Sequence, residues 1–136
     1  GYDPRLHTVR EIEALTKKLA AKHIALVAID GNLVDAIWND QPAHPQDKVA
    51  VHDEKYAGQS AAEKREAVAD DVRKAGAKAV LLTAPDSIMW LLNVRGSDVP
   101  NTPFALSYAL VHDDGAVDWF IPADKITAAV CQHIGN

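Results

Sequence analysis

The sequence has a single cysteine and no long apolar run. Because Cys131 has no second cysteine to pair with, an internal disulfide is excluded and a reducing compartment is favoured. The longest apolar runs, IALVAI (24–29) and AVLLTA (79–84), have the length of strands. They fall far short of the roughly 20 residues that span a membrane. No basic and apolar leader precedes Tyr2. We therefore expect a cytoplasmic protein that does not insert into a membrane.

Basic residues are too few and too scattered to form a nucleic-acid surface. The sequence has 14 lysines and arginines against 19 acidic residues, which gives a net charge of −5. Acidic residues also interrupt the basic ones along the chain, so we expect no nucleic-acid partner. Apolar residues make up 48% of the 136 positions. That composition suits a buried core in one domain, or the end of one domain followed by most of another.

The residue types that carry hydrolytic chemistry are present without their usual patterns. The six histidines show neither H-E-x-x-H nor a close pair on one helix face. Ser60 is explained as a helix cap, Ser87 lies in a first helical turn, and Cys131 has no flanking glycines. The glycines are isolated, so no phosphate-binding loop is present. We therefore expect no catalytic residue and no metal ligand in this chain.

Capping signals and apolar spacing predict the helices. Thr8-Val-Arg-Glu11 and Ser60-Ala-Ala-Glu63 have the spacing of capping boxes, in which a hydroxyl and a glutamate satisfy free backbone N–H groups. Pro85 suits the first position of a helix. The predicted helices span about 9–22, Ser60 to Gly76, Pro85 to about Leu92, and about 123–134.

Short apolar runs and turn residues predict the strands. Two buried strands are expected at 24–29 and 78–84, and residues 49–51 fit a strand or an extended arm. A hairpin is expected from 104–111 and 117–121, across Asp113-Asp114-Gly115. The order of these elements predicts an α/β fold with a mixed β-sheet flanked by helices. Residues 39–48 lack periodicity and are the best candidate for a domain boundary.

The stretch WLLNVRGSDVP (90–100) holds the candidate binding residues. Arg95 offers a planar fork that can grip a carboxylate or a peptide carbonyl, and Trp90 offers a flat apolar wall. Gly96 lets the backbone approach a ligand or another domain closely. Asn93 is a further candidate.

A purely structural interpretation of the same stretch remains open. In that interpretation Arg95 pairs with Asp98 or Asp86, and Trp90 is buried in the core. The residue types alone do not decide between the two.

Four stretches of the chain together resemble the cytosolic three-domain Xaa-Pro aminopeptidases, the aminopeptidase P group of peptidase family M24. Their order and spacing match over nearly the whole chain. The stretches are GYDPRLHT (1–8), NLVDAIW (32–38), VHDEKYAGQSAAEKR (51–65) and PDSIMWLLNVRGSDVPNTP (85–103).

The resemblance implies a domain organisation. In that family two creatinase/prolidase-like N-terminal domains, which contain a ribonuclease H-like motif, precede a catalytic domain that holds two divalent metal ions, usually manganese. Residues 1–31 then resemble the last helix and strand of the first domain, 32–57 the linker, and 58–136 most of the second domain. The chain is expected to be part of a longer protein that includes the catalytic domain.

The resemblance also implies a function. The intact enzyme removes the N-terminal residue that precedes proline, and this segment shapes substrate access and dimerisation without catalysing the reaction. Arg95, Trp90 and Asn93 would face the substrate cleft. The implied partners are the chain's own catalytic domain, a second copy in a homodimer, and a proline-containing peptide. Two alternatives stay open: a stand-alone α/β binding or scaffolding module, and part of a creatinase or prolidase relative.

Overall fold

The computed structural model describes residues 1–135, which form two compact units, residues 1–43 and the residues from His44 onward. The division lies within residues 39–48. Each unit is described by itself. The finer assignment of residues 1–31, 32–57 and 58–136 to parts of two domains stays a prediction.

The first unit contains the predicted N-terminal helix, α1 (Val9–Ala20). Thr8 caps it in a complete capping box, since its hydroxyl accepts from the Glu11 N–H while the Glu11 carboxylate accepts from the Thr8 N–H. The helix is therefore specified locally, by the residues that satisfy its first N–H groups.

The buried strand predicted at 24–29 is wrong. Within the first unit this segment forms one parallel bridge, between Tyr2 and Ala28. Ile24 and Val27 are at least half exposed. A unit of this size has little interior to offer, and a strand needs neighbouring strands before its apolar side chains can be buried.

The helices of the second unit are α2 (Glu54–Ala57), α3 (Ala61–Lys74), α4 (Pro85–Leu92) and α5 (Ala128–Ile134). The predictions for α3, with its Ser60 capping box, and for α4, with Pro85 at its start, are confirmed. The single helix predicted over 123–134 is wrong. A short 3-10 helix (Ala123–Lys125) comes first, Ile126 is extended, and α5 begins after Thr127, whose hydroxyl accepts from the Val130 N–H.

Two antiparallel sheets complete the second unit. Strands β1 (Ala50–Val51) and β3 (Val94–Arg95) pair with Ala50 opposite Arg95. Strands β2 (Ala79–Leu82), β4 (Tyr108–His112) and β5 (Val117–Phe120) form a three-stranded sheet in the order β2-β4-β5. The α/β class is confirmed.

The core of the second unit lies against one face of the three-stranded sheet. Small side chains of the predicted hairpin, Ala105 and Ala109, point into it, whereas Tyr108 is 57% exposed on the opposite face. This arrangement brings α4 close to the sheet. The largest fully buried side chains are Ile88, Leu91, Val49, Val94, Val111, Val130 and Asn93.

Candidate functional site

One pocket of about 220 Å³ contains all three candidate binding residues. Its walls come from three places in the second unit: the β1–α2 segment, the first turn of α3, and α4 with the residues that follow it. The lining residues are His52, Tyr56, Ala57, Lys64, Asp86, Met89, Trp90, Asn93 and Arg95.

Asn93 makes the turn that brings α4 and β3 to the pocket. It ends α4 in the left-handed region, with φ 50° and ψ 52°, where asparagine is tolerated better than most residues. Its side chain is 2% exposed. The amide oxygen accepts from Lys64 Nζ at 2.7 Å, and Nδ2 donates to the Gln59 carbonyl at 2.8 Å. Asn93 therefore fixes the loop, and both ends of its amide are already engaged.

Trp90 and Arg95 are the exposed members of the three. Trp90 is 54% exposed, so the alternative interpretation, in which Trp90 is buried in the core, is wrong. Pairing between β1 and β3 places Arg95 beside His52, and Arg95 Nη2 donates to His52 Nε2 at 3.3 Å. The direction of this bond follows from the guanidinium, which has donors and no acceptor.

The predicted pairing of Arg95 with Asp98 or Asp86 is also wrong. Asp98 is buried and forms an ion pair with the buried Lys125, and its carboxylate accepts from the Leu106 N–H at 2.7 Å. Asp86 lines the pocket but makes no ion pair with Arg95 among the described residues. Among the described residues, the Arg95 guanidinium has no carboxylate partner, and its side-chain hydrogen bond is to His52.

Gly96 serves the packing of the chain itself. A Cβ at this position would lie 2.4 Å from the Ala105 nitrogen and 2.6 Å from the Phe104 carbonyl carbon. The close approach expected from the sequence therefore occurs between two segments of the second unit. It holds Arg95 at a defined place on the pocket wall.

Lys64 is one of the pocket residues that were not predicted from the sequence. It is 3% exposed and lies 4.7 Å from the centre of the Trp90 ring, and its Nζ donates to the Trp90 carbonyl at 3.1 Å. Burial, and to a lesser degree the nearby Arg95 charge, lowers its pKa below the ordinary 10.5. A signal was present, because Lys64 precedes Val68 by four residues on the face of α3 that packs inward.

The described part of the chain contains neither a cluster of metal ligands nor a membrane-spanning helix. Between residues 1 and 135 no group of three or more histidine, cysteine, aspartate or glutamate side chains could hold a metal ion. No helix of these residues has the length and apolar character needed to cross a membrane.

Curated relatives match this chain over its whole length. It is 37% identical to a probable Xaa-Pro aminopeptidase P of Aspergillus flavus and 38% identical to aminopeptidase P2 of Arabidopsis thaliana. It spans 21% and 19% of the lengths of those two proteins. The chain thus corresponds to about a fifth of the relatives that it matches.

A solved structure has the same fold. X-prolyl aminopeptidase from Caenorhabditis elegans, described as a cytosolic enzyme with a di-nuclear active site, superposes with a TM-score of 0.85 at 34% identity. The match covers 98% of this chain and 22% of that one. Residues 40–136, which include the whole pocket, match the sequence pattern of one domain family. The chain belongs to the creatinase/prolidase N-terminal domain family.

Proposed function

We propose that this chain is a non-catalytic N-terminal region of a metal-dependent Xaa-Pro aminopeptidase, which removes the N-terminal residue preceding proline. The observation that carries the proposal is the full-length match at 37% identity to a protein of that name, of which the chain covers only 21%. The segment shapes substrate access and takes part in dimerisation. A cytoplasmic location is part of the proposal, and the cytosolic description of the Caenorhabditis elegans enzyme supports it.

Arg95 and Trp90 are the residues through which the segment acts on substrate access. Both are exposed at the same pocket. The guanidinium can hold a carboxylate or a peptide carbonyl in two parallel hydrogen bonds. The indole can cover an apolar part of the peptide and exclude water from it. Asn93 acts as a positioning residue, because its amide is used by Lys64 and Gln59.

The metal ions of the proposed enzyme are assigned to the remainder of the protein. The described residues of this chain offer no cluster of three ligands, so they do not fit a metal centre. The relative from Caenorhabditis elegans has a di-nuclear active site, and we propose two divalent ions, manganese among the candidates, in the catalytic domain. The other partners are that domain, a second copy of the protein, and the proline-containing peptide.

Replacing Arg95 by glutamine tests the proposed role in substrate access. In the full-length enzyme that carries this chain, we expect Arg95→Gln to raise KM for Xaa-Pro peptides about tenfold while kcat changes less than about twofold. A hydrogen bond to a charged group contributes about 1.5–3 kcal/mol, and loss of a contact made equally in ground state and transition state appears in KM. Steady-state kinetics on a series of peptides measures both constants.

Arg10→Gln is the matched control, since Arg10 is an exposed arginine on α1 in the other unit. Its KM is expected to stay at the wild-type value. Unchanged kinetics for Arg95→Gln would contradict the proposed role of the pocket. A gene whose reading frame stops directly after Asn136 would contradict the proposal as a whole and favour a stand-alone module.

A further inference from the structure

Lys64 is buried, and it has no anionic partner in the part of the chain that the structure describes. Its Nζ donates to two neutral oxygens, the Trp90 carbonyl at 3.1 Å and the Asn93 amide oxygen at 2.7 Å. No carboxylate lies within ion-pairing distance of it in residues 1–135, whereas the other buried lysine, Lys125, pairs with Asp98. Buried charges in proteins are normally paired, because an isolated ammonium loses its hydration. The site of Lys64 is therefore electrostatically incomplete.

A second cation faces the same space. Arg95 lines the pocket, and among the described residues its guanidinium is hydrogen-bonded to His52 and to no carboxylate. Its charge contributes to the lowered pKa of Lys64. The one carboxylate among the lining residues, Asp86, is exposed and forms no ion pair within the described chain. Positive charge thus gathers here in a chain whose net charge is −5.

The shape of the pocket limits what can neutralise these charges. Its volume of about 220 Å³ is below the roughly 300–1,000 Å³ of pockets that hold drug-sized ligands. The exposed indole of Trp90 and the ring of Tyr56 provide apolar walls beside the cations. A planar anion matches the arginine fork, and a short apolar stem matches the walls.

We propose that this pocket is a carboxylate-binding site, in which Arg95 forms the fork, Lys64 supplies the buried charge, and Trp90 covers the stem of the bound group. The carboxylate comes either from the free C-terminus of a peptide or from an aspartate or glutamate side chain of a docked protein segment. The assignment rests on the pocket alone, so it holds whether or not the protein is a peptidase.

Titration of the ¹⁵N-labelled chain with three small probes tests the proposal by NMR. The probes are acetyl-Ala-Ala with a free C-terminal carboxylate, the same dipeptide as its C-terminal amide, and acetyl-glutamate with its C-terminus amidated. We expect the two carboxylates to shift the Trp90 indole N–H and the Arg95 backbone amide in a saturable manner. The neutral dipeptide amide should leave both signals in place.

Two substitutions in the pocket are expected to weaken carboxylate binding. Arg95→Gln and Lys64→Met should each weaken carboxylate binding at least tenfold, and Arg10→Gln should leave it unchanged. If Lys64→Met does not fold, Arg95→Gln decides alone, because Arg95 is exposed. If the dipeptide with the free C-terminus binds more tightly, the natural ligand is a peptide C-terminus. If the glutamate probe binds more tightly, the natural ligand is an acidic side chain. Equal shifts from the neutral amide, or wild-type binding by Arg95→Gln, would overturn the proposal.

Discussion

Asp98→Asn is expected to lower the free energy of unfolding by about 3–5 kcal/mol, the usual cost of leaving a buried charge without its partner. Asp98 pairs with Lys125, whose side chain is 3% exposed, while the Asp98 side chain is fully buried. The same carboxylate accepts from the Leu106 N–H at 2.7 Å. The substitution keeps the shape of the side chain and strands the ammonium of Lys125. Urea unfolding followed by circular dichroism measures the loss.

An exposed ion pair provides the control for this substitution. Lys78 pairs with Asp113 at 2.9 Å, with the lysine side chain 93% exposed. Lys78→Gln should therefore cost less than about 1 kcal/mol. The double variant Asp98→Asn/Lys125→Met should recover part of the stability, because it removes the stranded charge. If Asp98→Asn lowers the free energy of unfolding as little as Lys78→Gln does, the ion pair between Asp98 and Lys125 does not contribute to stability in the way expected here.

Gly96→Ala is expected to destabilise the second unit by about 3 kcal/mol, at the upper end of the range for overpacked sites. The new methyl group would lie 2.4 Å from the Ala105 nitrogen and 2.7 Å from the Ala105 Cβ. Backbone atoms cannot rotate away from such a contact, so the 96–105 contact must open. Urea unfolding of the variant measures the loss. NMR of the folded fraction should show displaced Arg95 signals.

Gly58→Ala is the control that separates the effect of steric crowding on stability from the effect of an unfavourable backbone conformation. Nothing lies within 4 Å of a Cβ built at Gly58, although its φ of +74° is unfavourable for alanine. That conformational cost is about 1–2 kcal/mol. If Gly96→Ala proves no more destabilising than Gly58→Ala, the contact between residues 96 and 105 can accommodate a methyl group and the expectation is wrong.

Helices whose starting residues were recognised in the sequence were predicted correctly. α3 follows from a serine and a glutamate three residues apart, and α4 from a proline at its first position. The predicted helix over 123–134 failed because Thr127 caps a later start. The segment 24–29 failed because its burial depends on neighbouring strands, which its own composition does not specify.

The pocket was predicted only in part, because contacts between distant residues build it. Arg95 and His52 meet across 43 residues of sequence through the pairing of β1 with β3. Lys64 reaches Asn93 across 29 residues. Lysine residues on helices are usually solvent-exposed, so the residue type at position 64 indicates exposure. Its position four residues before Val68 indicates the opposite, that Lys64 lies on the inward face of α3. Asn93 is 2% exposed and its amide is engaged by Lys64 and Gln59, and its role as a binding residue stays a prediction.

The central claim is that this chain supplies a binding surface to an aminopeptidase and no catalytic centre. The direct measurement is hydrolysis of an Xaa-Pro peptide by the 136-residue chain in the presence of manganese, with metal binding followed by calorimetry in parallel. We predict no turnover above the uncatalysed rate and no tight manganese binding. Turnover at enzyme-like rates of about 1–10³ s⁻¹ that a chelator abolishes would contradict the claim.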